Sequence, residues 1–147
     1  MGFNDCESMD KTCFAHCLEI GQKFEKLAIS INLKDTGIDV EERCNDYRYD
    51  FLTKDGVKHE VKADLRGNET GNIYIEFEHK GRKSGITKTE SKYWWIFLTE
   101  KTYYKFKTID ILKAIKDKKY FKIAECFDGN SKGYLFKKDV LAASCCK

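Results

Sequence analysis

The chain contains no proline among its 147 residues. Glycine and asparagine, which tolerate the left-handed backbone, are left to mark its turns. It also has no apolar run near the ~20 residues that a membrane-spanning helix needs. Asp5, Glu7 and Asp10 interrupt any secretory signal at its start. There are seven cysteines but no Cys-x-x-Cys spacing, and Cys145 and Cys146 are adjacent. An odd number without paired spacing fits a reducing interior better than a disulfide framework. Together these absences point to an intracellular protein, neither secreted nor embedded in a membrane. Cys13, His16 and Cys17 share one helical segment, yet no second ligand pair lies at zinc-site spacing. Core or surface thiols are the better reading. A large excess of one charge is missing too: Lys+Arg number 27, Asp+Glu number 24, and the net charge is +3. That permits nucleic-acid binding without demanding it. No repeat, linker or low-complexity segment is visible.

What is present argues for a folded globular chain. Hydrophobic residues make up 41% and aromatics 14%, too much for disorder. The length suits one domain, with a core over about 11–118 and a C-terminal extension over about 119–147. Residues 11–32 read as a helix, with Phe14, Cys17, Leu18, Gly21, Phe24, Leu27, Ala28 and Ile31 at three- and four-residue spacing and Asp10 as N-cap. A short strand is expected near 37–42. Ile73–Glu78 alternates as a strand, with Tyr74, Glu76 and Glu78 on its polar face. Tyr93–Leu98 is a nearly continuous apolar strand, expected to be central, with Thr102–Lys107 as its partner. Thr108 is expected to cap a helix over 109–118. Strands are expected at 120–126 and 133–136, and a short helix at 139–147. The class is α/β or α+β, built on a mixed sheet flanked by helices.

The informative segment is 47–64. Tyr47, Tyr49 and Phe51 alternate with Arg48, Asp50 and Leu52, and Val57, His59, Val61 and Ala63 alternate with Lys58, Glu60, Lys62 and Asp64. Period two on both sides predicts a hairpin. A three-residue loop Lys54-Asp55-Gly56 puts glycine at the left-handed position. Thr53 then pairs with Val57, and Asp50 faces Glu60. A two-residue loop would instead set Asp50 across from Val61. Two carboxylates side by side repel unless a cation sits between them. A divalent metal is the natural occupant, and a lysine beside a metal-bound phosphate is a common tool of phosphodiester hydrolysis. On the helix, Glu25 borders the apolar face beside Leu18, Gly21 and Ala28. A carboxylate there needs a partner or a metal, or it reaches out to water.

These residues resemble the PD-(D/E)xK nuclease superfamily, the restriction-endonuclease-like fold. Its core runs helix, three-stranded meander, helix, strand: an αβββαβ order. Asp50 matches the family's first aspartate, Glu60-Val61-Lys62 its (Asp/Glu)-x-Lys, and Glu25 its helical glutamate. The spacing of Asp50 and Glu60 resembles that of phage-type junction-resolving endonucleases and archaeal Holliday junction resolvases. The stretch 71–97 also resembles phage and viral members. The likeness covers roughly 12–98. Glu-x-Lys occurs three times, at Glu60, Glu78 and Glu90, but only the first follows a carboxylate-bearing strand through a tight turn. Tyr49 stands where many members have proline.

The resemblance implies a DNA endonuclease using Mg²⁺ or Mn²⁺. Asp50, Glu60 and the Val61 carbonyl would ligate the ion, and Glu25 would hold a second ion or a metal-bound water. Lys62 would orient or help deprotonate the attacking water and stabilise the phosphorane. Arg82, Lys83, Lys88 and Lys92 would bind nucleic acid, DNA rather than RNA, with Ser84 and Thr87 as phosphate donors and Gly85 allowing close approach. Glu76 and Glu78 either face the site or pair with nearby lysines. One of Trp94 and Trp95 is expected in the core, and the other could stack on a base. His59 and His79 are expected on the strand surface. Symmetric two-strand cutting would need a homodimer. The rival readings are a nuclease for linear, nicked or RNA substrates, and a non-catalytic nucleic-acid-binding protein. The bland reading is a solvated, charged hairpin beside a flexible basic loop.

Overall fold

The computed structural model describes residues 11–44, 48–126 and 129–145, with side chains from Leu18 onward. Asp10, Tyr47 and the side chains of Cys13, His16 and Cys17 lie outside the described residues. Helix α1 (Lys11–Thr36) runs one turn further than its apolar spacing predicts. It stops at Gly37, whose φ is +75° and whose N–H reaches the Leu33 carbonyl at 2.8 Å. This is the left-handed C-terminal stop that a proline-free chain must make with glycine.

Strands β1 (Val40–Arg43), β2 (Phe51–Thr53) and β3 (Lys58–Ala63) form an antiparallel meander. A single-turn helix α2 (Gly67–Thr70) follows, then β4 (Asn72–His79), β5 (Arg82–Lys83) and a 3₁₀ turn (Gly85–Thr87). Next come β6 (Tyr93–Phe97), β7 (Tyr103–Lys107) and α3 (Thr108–Lys116), and then β8 (Lys122–Cys126), β9 (Ser131–Lys137) and α4 (Lys138–Cys145). The described residues form an α+β fold with four helices and two sheets. The first sheet has the order β1-β2-β3-β6-β7 and is mixed, because β3 and β6 run parallel. The second is antiparallel, in the order β5-β4-β9-β8.

Strand β6 shows why its sequence is apolar throughout. Trp94 and Ile96 join one core with Ile73, Ile75, Phe136 and Leu141. Trp95 and Phe97 join another with Phe24, Ala28, Phe51 and Val61. A strand covered on both faces has no polar side to show. Both tryptophans are 1% exposed, so neither is available to stack on a base.

Three expectations change. One mixed sheet was expected, but β4 and β5 leave it. The excursion from β3 to β6 has the one-turn α2 as its sole α-helix, and Ile73 and Ile75 on β4 cover Trp94 and Ile96 in place of a long helix. The C-terminal segment is built into the core, since β9 pairs along β4 and Phe136 and Leu141 are fully buried. Thr108 is the first helical residue, not the cap. Lys107 holds the N-cap position, and the Thr108 hydroxyl donates to the Ser91 carbonyl at 2.6 Å.

Candidate active site

The β2–β3 turn sets the site. Phe51 pairs with His59 and Leu52 with Lys58. Thr53 N donates to the Val57 carbonyl at 2.9 Å, and Gly56 has φ +83°. The three-residue loop is therefore the one adopted. Asp50 N donates to the His59 carbonyl at 2.8 Å, one residue off the Phe51–His59 pairing, so the regular register ends at Phe51 and Asp50 sits in an irregularity beside Glu60, whose charge it feels. Its Oδ2 accepts the Val61 N–H at 2.7 Å, which fixes the carboxyl on the hairpin. Glu60 and Lys62 are aligned with Trp94 and Ile96 on β6, so they share the sheet face that looks toward the second sheet.

Burial dominates the electrostatics here. The Asp50 carboxyl is pushed well above the usual carboxylate range, first by desolvation and then by the Glu60 charge. Lys62 and the Val61 N–H offset this only in part. Desolvation works against the Lys62 charge, but Glu60, with Oε2 at 3.2 Å, and Asp50 prevail and hold the ammonium protonated. Glu60 is 8% exposed, and its Oε1 is buried with no hydrogen-bond partner. Glu25 is 5% exposed, and burial raises its carboxyl although Arg43 Nε donates to Oε1 at 2.8 Å.

A cleft of about 620 Å³ gathers these groups. Asp50, Glu60, Val61 and Lys62 line it from the first sheet, and Gly21, Gln22 and Glu25 from α1. Glu76, His79, Arg82, Lys83, Ser84 and Lys88 close it from the second sheet and its turn. The acidic groups thus face a basic wall. Thr87 and Lys92 do not line it. The Lys92 ammonium lies 5.5 Å from the centre of the Tyr93 ring.

Ser84 and Thr87 spend their protons inside the protein. Ser84 Oγ donates to Glu76 Oε2 at 2.9 Å, and Thr87 Oγ1 lies 2.8 Å from both the Phe77 and the Ser84 carbonyls, to one of which it donates. A hydroxyl has one proton to give, so in this structure both hold the turn together. Glu76 joins the cleft, whereas Glu78 pairs with Lys132 at 3.6 Å. A bulge between Glu76 and Glu78 separates their roles.

His59 is not a surface residue; it is 2% exposed. Trp95 Nε1 donates to its Nδ1 at 3.1 Å. Indole nitrogen only donates, so the His59 proton sits on Nε2, which lies 3.3 Å from Thr53 Oγ1. The neutral ring braces the hairpin from behind. Arg43 and Ser131 were missed by sequence reasoning. Arg43 acts 18 positions from Glu25, and nothing local in the sequence marks the pair.

Hard oxygen donors such as Asp50 and Glu60 suit Mg²⁺ or Mn²⁺. The orphaned Glu60 Oε1 beside the destabilised Asp50 is the feature a cation would relieve. Among the described residues no three His, Cys, Asp or Glu side chains converge as ligands. No helix among them is long and apolar enough to cross a membrane. Comparison of the chain with family models, with curated proteins and with solved structures returns no match.

Proposed function

We propose that this chain is a metal-dependent endonuclease of the PD-(D/E)xK kind, hydrolysing phosphodiester bonds of DNA with Mg²⁺ or Mn²⁺. One observation carries the reading: the start of the hairpin brings Asp50 beside Glu60 in one cleft, with Lys62 paired to Glu60 and a basic wall across from them. The element order supports it. A helix, a meander and a strand parallel to the meander's last member resemble that family's core, with α2 in the place of its second helix.

Asp50 and Glu60 would hold the ion, which when bound supplies a Lewis acid and lowers the pKa of water. The remaining work belongs to the protein. Arg82, Lys83 and Lys88 draw the phosphate backbone into the cleft. Lys62 keeps its proton, so it acts as a fixed positive charge beside the phosphoryl oxygens and not as the base. Water gives a proton to bulk solvent as its oxygen bonds to phosphorus, the P–O3′ bond breaks, and the leaving oxygen takes up a proton from solvent. The products are a 3′-hydroxyl and a 5′-phosphate. Glu25, held by Arg43, lines the same cleft.

The separation of Asp50 and Glu60 resembles that of junction-resolving endonucleases, and on that likeness alone branched DNA is the proposed substrate; cutting both strands of a junction calls for two copies of the chain. The test is a panel of four-way junction, flap, linear duplex, single-stranded DNA and RNA, incubated with Mg²⁺ or Mn²⁺ and with EDTA. Cation-dependent cutting, strongest on the junction, is the expected result. Cation-dependent cutting of RNA alone would reassign the substrate. Binding without cutting of any member would favour a non-catalytic nucleic-acid-binding protein.

A further inference from the structure

Strands β3 and β6 run parallel, with Glu60 in register with Trp94 and Lys62 with Ile96. Lys62 therefore has two neighbours on this face. Its ammonium lies 3.2 Å from Glu60 Oε2 and 5.5 Å from the centre of the Trp94 ring. The second distance is within the reach of a cation–π contact. The lysine side chain is only 19% exposed, so little water competes at either contact. Glu76, the acid on the opposite wall, is engaged elsewhere. Ser131 Oγ donates to its Oε1 at 2.6 Å, and Ser84 Oγ donates to its Oε2 at 2.9 Å.

Packing explains a large apolar side chain at position 94 but not a tryptophan. Trp94 shares a core with Ile73, Ile75, Ile86 and Phe106, and those residues ask only for volume. Its indole Nε1 is buried with no hydrogen-bond partner. A buried N–H left unpaired is destabilising, and phenylalanine or leucine would not carry that cost. What tryptophan offers in return is its face, the strongest of the aromatic faces for a cation. The face attracts an ammonium through its quadrupole and bears no net charge. A second carboxylate in its place would hold Lys62 as well, but would leave the spot negative and repel a phosphate. The packed ring is also rigid, so the lysine rests against a fixed surface.

We propose that Trp94 is a positioning residue for Lys62: its ring face holds the ammonium beside Glu60 without neutralising it. The consequence for cleavage rests on the nuclease reading, but the contact is testable without activity. The experiment places mono-, di- and trifluorotryptophan at position 94 by stop-codon suppression. Fluorine withdraws charge from the ring face and weakens cation binding, with little change of shape. Two readouts are used. One is steady-state cleavage of a four-way junction with Mg²⁺. The other is the ¹³Cε signal of Lys62 in EDTA, assigned by its loss in Lys62→Arg. Along the series kcat is expected to fall stepwise, reaching a loss of about three- to tenfold, with KM within about twofold. The Lys62 signal is expected to move in step. Trp95 belongs to the other core, so the same analogues at position 95 should leave kcat within about twofold and the Lys62 signal in place.

A level kcat across the series would overturn the proposal, and so would an unmoved Lys62 signal or losses confined to KM. An equal effect from position 95 would overturn it too. If the trifluorinated protein does not fold, Trp94→Phe, whose ring binds cations more weakly, decides by the same criteria. If wild type cuts nothing, the nuclease reading falls, and the Lys62 signal along the series still decides the positioning role.

Discussion

Asp50 Oδ2 accepts the backbone N–H of Val61 at 2.7 Å, one residue beyond Glu60. The bond keeps the aspartate from turning to solvent. It is therefore held against Glu60 with its charge disfavoured, and that tension has measurable consequences.

The cation-free protein should gain stability from Asp50→Asn. Asn can still accept from Val61, and it removes the charge that burial and Glu60 disfavour. Because the folded-state pKa is raised to about 8, the folded protein holds a proton that the unfolded chain releases above its ordinary value near 3.8. Stability should therefore fall as pH rises across that window, and the variant should lose this slope. A gain on the order of 1–3 kcal/mol near pH 7 is expected from urea melts in EDTA. A variant less stable than wild type at pH 7 would contradict it.

Cation affinity should rise with pH. A divalent ion at Asp50 must displace the proton that the carboxyl holds up to about pH 8. Calorimetric titration with Mn²⁺ should show affinity climbing by up to about tenfold per unit between pH 6 and 8, with proton release. Pre-bound Mn²⁺ should raise Tm in wild type and not in Asp50→Asn. A pH-independent affinity would count against Asp50 as a ligand.

His59 carries the opposite pH signature. Burial, with Lys105 adding to it, depresses its pKa from 6.5 to about 4. The unfolded chain then binds more protons between those values, so the stabilisation is complete above pH 6.5 and is lost as pH falls toward 4. About 3 kcal/mol is at stake over that window. Measured in the Asp50→Asn background, where the opposing slope is gone, His59→Gln should flatten the acid limb. An unchanged acid limb would mean the ring is not buried in its neutral form.

Much of this site was legible in the hairpin itself. Lys54-Asp55-Gly56 specified its turn and the register from Thr53 to Phe51, while Asp50 reaches Glu60 through an irregularity beyond that register, which alternation did not show. The apolar run of β6 correctly announced a central strand, but not that both Trp94 and Trp95 would be buried. Alternation reports which side of a strand is apolar but not which sheet the strand joins, so the departure of β4 into a second sheet was invisible. The same gap hid the burial of His59, whose Trp95 partner lies 36 positions away, and the Arg43–Glu25 pair. Ser84 and Thr87 were chosen as phosphate donors by residue type alone. Their protons go to Glu76 and to the carbonyl of Phe77 or Ser84 because the turn folds back onto β4.

Gly85→Ala tests that fold-back. The alanine would carry φ +54° and drive its Cβ into the Glu76 carbonyl. A loss of about 2–4 kcal/mol is expected in denaturant melts, with weaker binding of a labelled junction as the turn shifts. A neutral substitution would show that the turn is not packed as described.

The most direct measurement is cleavage of a labelled four-way junction by wild type, Asp50→Asn and Lys62→Ala, each with Mg²⁺ and each also assayed for binding in Ca²⁺. Wild type is expected to cut, and both variants to fall by at least about a thousandfold while binding within a few-fold of wild type. Cutting that survives both substitutions would place the chemistry outside this hairpin and contradict the account.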